Sequence, residues 1–108
     1  MGHAVSVAVV LAESAAEALD AIESRADAVA VARRLRALRT FPEIGSVYDP
    51  EYQAARPDHQ VLVTYAGHFG IYYVYDPALR DGTVYVEWIQ DERRNPMTRF
   101  SLGLPANS

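Results

Sequence analysis

One hundred and eight residues, 50% of them hydrophobic, are enough for one core and exclude a chain of several domains. A formal net charge of −4 argues against a protein whose whole surface grips nucleic acid. The absence of cysteine excludes disulfides, a thiol nucleophile and any cysteine-held metal.

The three histidines, His3, His59 and His68, show no i,i+4 spacing, so neither a zinc site nor any other cofactor is expected. The longest apolar run, Ala4 to Ala12, is broken by Ser6 and is far too short to span a bilayer. A soluble, cytoplasmic protein with no membrane partner is the expectation. Charge is unevenly placed. Residues 1–24 carry four acids (Glu13, Glu17, Asp20, Glu23) and no Lys or Arg, whereas residues 25–40 carry five arginines against Asp27.

In chain order, Ala4 to Val10 reads as an opening strand. Ser14-Ala-Ala-Glu17 has the spacing of a capping box, and Ala15, Ala18, Leu19 and Ile22 form an apolar stripe at helical period. Ser24 starts a second helix with Ala28, Val31, Ala32, Leu35 and Leu38 inside, and Arg33, Arg36 and Arg39 outside; Pro42 is expected to end it. Helices so closely joined form an αα-hairpin. Residues 41–60, with three prolines and one glycine, have no convincing period and read as a long loop.

Then come three β-branched and aromatic runs, Val61 to Tyr65, Phe69 to Tyr75 and Thr83 to Ile89. Their gaps are turn chemistry and too short for a parallel return, so the runs form an antiparallel meander. Glu87 suggests that Val84, Val86 and Trp88 point inward, leaving the tyrosines on the more exposed side. Ala4–Val10 and Val61–Tyr65 are the candidate open edges. In a simple meander, His68 lies at the opposite end of a strand from Arg93 and Arg94. The fold class is therefore α+β: a strand, an αα-hairpin, then a three-stranded meander, with an ordered core over about residues 4–100 of a single domain.

This order resembles the RelE/ParE superfamily of toxins from type II toxin–antitoxin modules. Leu35-x-x-Leu38 running into Phe41-Pro42-Glu43-Ile44-Gly45 resembles the family's junction after the second helix. Phe69 to Asp76 is similar to its central strand, and Val84 to Ile89 followed by Arg93-Arg94-Asn95-Pro96 is similar to its last strand and ending. The resemblance implies a growth-inhibiting protein neutralised by an antitoxin encoded beside it. Its target would be DNA gyrase, or the ribosome and its mRNA. Helices packed on one sheet face are implied as well.

RNA cleavage would call on Arg93, Arg94 and His68 as catalytic groups, because 2′-hydroxyl attack needs a base and cations on the phosphate. Arg56, Arg99 and Phe100 are the candidate target-binding residues, and Arg33, Arg36, Arg39 and Tyr72 the candidate antitoxin-binding ones. Two departures favour target binding over cleavage. Gly70 stands where the ribonuclease branch usually has a cation, and Phe100 where it often has a tyrosine. A small binding domain with no lethal target is the remaining reading.

Overall fold

The three β-branched runs pair as a meander because their turns allow nothing else. The computed structural model describes residues 6–49, 60–78 and 82–94. Its elements are β1 (Ala8–Leu11), α1 (Glu13–Asp20), α2 (Arg25–Ala37), β2 (Ser46–Val47), β3 (Leu62–Ala66), β4 (Phe69–Asp76) and β5 (Thr83–Asp91). A single 3-10 turn, Glu92–Arg94, follows. The strands make one mixed sheet in the order β1-β5-β4-β3-β2. β1 runs parallel to β5, and every other pair is antiparallel. The β3–β4 turn passes through Gly67 at φ 61°, a conformation that costs glycine nothing.

Both helices cover one face. Ala15 of α1, Val31 of α2 and Leu38 just beyond it are buried with Ile71, Tyr73, Val84, Val86 and Ile89 of the sheet. A helix as short as the eight-residue α1 is marginal alone, so this packing is what holds it. The other face carries a second cluster, Val61, Val63 and Tyr72, with Tyr48, Val74 and Trp88 against it.

The sheet corrects several expectations. Trp88 does not point at the helices. Tyr72 pairs with Trp88 but Tyr73 with Val86, so Glu87 is an extra residue, a β-bulge, and side-chain parity reverses across it. Val84 and Val86 face inward as expected, and Ile89 then replaces Trp88 in the core. Nor are the tyrosines collectively exposed: Tyr72 and Tyr73 are buried, and it is Tyr65 and Tyr85 that are open. Strand β3 is not a free edge, since β2, inside the segment expected to be loop, pairs with it at Leu62 and Val63. The opening strand starts at Ala8, with residues 1–5 outside the described residues.

The helix ends differ too. Ala12 is the N-cap of α1, with no side-chain cap; the Ser14 hydroxyl donates instead to the Glu87 carbonyl at 3.1 Å. The second cap behaves as expected, Ser24 Oγ accepting from the Asp27 N–H at 3.2 Å. Helix α2 ends at Ala37 and not at Pro42, because Leu38 to Thr40 tighten into a turn with i→i−3 bonds.

The chain leaving α2 is tied to the sheet at Gly45, whose N–H donates to Tyr73 Oη at 2.9 Å. A Cβ at position 45 would lie 2.7 Å from the Val63 carbonyl oxygen and 2.8 Å from Tyr73 Oη. We expect Gly45→Ala to destabilise by about 2 kcal/mol or more, through this overlap and a displaced hydrogen bond. Tyr73→Phe, which removes the hydroxyl and leaves the Gly45 N–H without it, should cost about 1–2 kcal/mol. Urea unfolding of the purified variants measures both; a Gly45→Ala as stable as the parent would show that the junction gives way freely.

Candidate functional site

Antiparallel pairing puts the end of β5 beside the start of β4, with Asp91 opposite Phe69. His68, in the turn before β4, is therefore next to the chain's exit and not across the sheet from it, which corrects the expectation from the simple meander. The Glu92 N–H donates to the His68 carbonyl at 2.8 Å. The imidazole packs on Phe69 with ring centroids 4.7 Å apart. Its Nε2 lies 3.4 Å from Asp27 Oδ2 and 4.0 Å from Asp91 Oδ2. Neither approach has hydrogen-bond geometry, and the nitrogen is buried without a partner. Asp27 reaches this point from the first turn of α2.

Arg93 closes on Asp91 in a bidentate pair, Nε to Oδ1 at 3.2 Å and Nη2 to Oδ2 at 3.0 Å. Its backbone N–H donates to the same Oδ1 at 3.0 Å. The Arg93 hydrogen bond holds the Asp91 carboxyl down to about 2, and Asp91 in turn raises the guanidinium above its ordinary value. Beside the pair is an open cleft of about 380 Å³, with Ile22 and Phe69 at its apolar side and Glu23, Asp27, Asp91 and Arg93 at its polar one. Three carboxylates against one guanidinium make it a poor seat for a phosphate and a better one for a cation or a zwitterion. Among the described residues, no three His, Asp or Glu side chains are grouped to hold a metal ion.

The opposite face of the same sheet end is aromatic. Tyr72 and Trp88 stack at 4.5 Å and 11°, and Tyr48 meets Tyr72 edge-on at 5.0 Å. The Tyr72 hydroxyl donates to Glu92 Oε2 and accepts from Gln90 Nε2 at 3.2 Å. Burial, and then the Glu92 carboxylate, push this phenol far above its ordinary value. Gly70 explains itself here: a Cβ would run into the Glu92 carboxylate and the Tyr72 ring.

Of the residues singled out from sequence, His68 and Arg93 come together through Asp91. Arg94 lies in the 3-10 turn that follows. Arg56, Arg99 and Phe100 lie outside the described residues. Arg33, Arg36 and Arg39 are exposed, whereas Tyr72 is only 2% exposed and offers an antitoxin almost no surface. Sequence reasoning missed Asp27 as a member of the site, and Asp91 as the point where His68 and Arg93 meet. The signal was present only in part: pairing the end of β5 with the start of β4 would have brought Asp91 to His68, but nothing local brings Asp27 there. No protein-family model matches the chain, and no curated protein matches it either.

Because Asp91 titrates lower in the folded chain than its ordinary 3.8, it adds stability above that pH, and the contribution is lost as the pH falls toward about 2. We expect the urea midpoint of the parent to fall more steeply than that of Asp91→Asn between these two values. Arg93→Ala should flatten the same stretch. Parallel profiles for all three proteins would mean that the pair is broken in solution.

Proposed function

We propose that this chain is the toxin of a type II toxin–antitoxin module, of the kind the RelE/ParE superfamily comprises, and that it arrests growth by binding its target, as gyrase poisons do. The order strand, two helices, antiparallel meander supports the family reading, with the opening strand beside the last one. One observation carries the choice of mechanism: the end of the sheet where catalytic groups are expected is acidic. Arg93 is bound by Asp91, His68 sits near Asp27 and Asp91, and the Glu92 carboxylate fills the space that a side chain at Gly70 would need. Cleavage at a phosphate wants cations at that place. A cognate antitoxin encoded by the adjacent gene is the partner, gyrase the target, and no cofactor is involved.

Ribosome-dependent mRNA cleavage is the second reading, favoured by the meeting of His68 and Arg93 at one carboxylate. Induced expression in a bacterial host, with and without the neighbouring reading frame, tests the whole proposal. Growth arrest that the neighbour relieves is the expected result, with intact messages and induced DNA-damage signalling. Codon-phased cuts in primer extension that vanish in Arg93→Ala/Arg94→Ala would transfer the mechanism to the nuclease reading. No arrest at all would leave a non-toxic α+β binding domain.

A further inference from the structure

The two helices expose opposite charges. On α1, Glu13, Glu17 and Asp20 recur at i, i+4 and i+7 and are all exposed, opposite the buried Ala15. On α2, Val29, Arg33 and Arg36 follow the same spacing and are likewise exposed, opposite the buried Val31. Val29 is 41% exposed, and Phe41, just past the helix, is 61% exposed. None of the five charged side chains has an ion-pair partner among the described residues. Both ridges lie on the same side of the sheet, since both helices bury their inner stripes in one cluster with it.

We infer that this helical layer is a self-complementary interface that takes a second copy of the chain. A two-fold axis running between the helices and along them lays the acidic ridge of one copy over the basic ridge of the other, and does so twice. A two-fold axis across the helices would stack like charge on like, so charge selects the arrangement. Val29 and Phe41 supply apolar contact within it. The segregation that produces this pattern is already visible in composition, four acids and no base over residues 1–24 and five arginines against one acid over residues 25–40. A phosphate-bearing partner would meet the arginines but be repelled by the α1 ridge on the same side of the sheet. The inference goes beyond the toxin reading and holds or fails without it, because it concerns the purified chain alone.

Exposed charge pairs contribute little each and are screened, so the dimer should be weak and sensitive to salt. Raising ionic strength from about 0.1 M to about 1 M shortens the screening length from ~10 Å to ~3 Å. Sedimentation velocity of the full chain, from low micromolar to submillimolar concentration, should show a dimer at the lower salt and a monomer at the higher. Arg33→Glu/Arg36→Glu and, separately, Glu13→Arg/Glu17→Arg should each weaken self-association by about tenfold or more. Mixed in equal amounts, the two variants should form a heterodimer, because each then presents what the other lacks. All four positions are exposed, and circular dichroism checks that each variant folds. If one does not, the single changes Arg33→Glu and Glu17→Arg repeat the mixing experiment. A parent chain that stays monomeric at low salt overturns the inference, as does a dimer indifferent to the reversals. So does a mixture that fails to associate. An acidic protein or a nucleic acid bound to the arginines of a monomeric parent would assign that ridge elsewhere and overturn it too.

Discussion

The extra residue in β5 governs the arrangement of this molecule. Without a bulge at Glu87, strict alternation from Val84 and Val86 would aim Trp88 at the helices and Ile89 away from them. The bulge shifts the register by one, so a short aliphatic fills the space under the helices and the indole goes to the open face. At the bulged residue itself, the Ser14 hydroxyl donates to the Glu87 carbonyl. One residue before it, the Val86 carbonyl accepts from the Ala12 N–H at 2.8 Å, at the entry to α1. The first turn of the first helix is thus fastened to the last strand at the point where that strand is irregular.

From that fastening follows the placement of everything polar. Strand β1 lies parallel to β5, so the chain must pass over the sheet before the meander can form, and α1 and α2 make that passage. The turn between the helices comes down at the end of the sheet where β5 finishes, which brings Glu23 and Asp27 to the cleft with Asp91 and Arg93. His68 arrives from the opposite direction through the Gly67 turn. Three distant parts of the chain meet there, and the carboxylates of two of them set the sign of the site.

Much of this was legible beforehand. The three antiparallel strands, the two helices with most of their inner stripes (Ala32 is exposed), the Ser24 cap and the segregated charges could be read from β-branched runs, helical period and turn residues. What failed had particular causes. Ser14 looked like a cap because spacing alone carries that signature, but a hydroxyl bonds whatever polar group the packing presents. β2 was invisible because two residues have no period. Trp88 was misassigned because a bulge changes the count of residues without changing their kind.

By itself the sequence determined local matters: which segments are strands or helices, which helix face is apolar, where the chain turns, and how charge divides between α1 and α2. Those are properties of neighbours a few residues apart, and period and propensity report them. Only the tertiary structure decided that Asp27 and Asp91 flank His68 and that Tyr72 is covered by Tyr48 and Trp88. The aromatic contact and the approach of Asp91 to His68 depend on strand register, and that of Asp27 on a helix crossing the sheet. No local signal encodes the register once a bulge has moved it, and a carboxylate 41 residues from a histidine leaves no period to find.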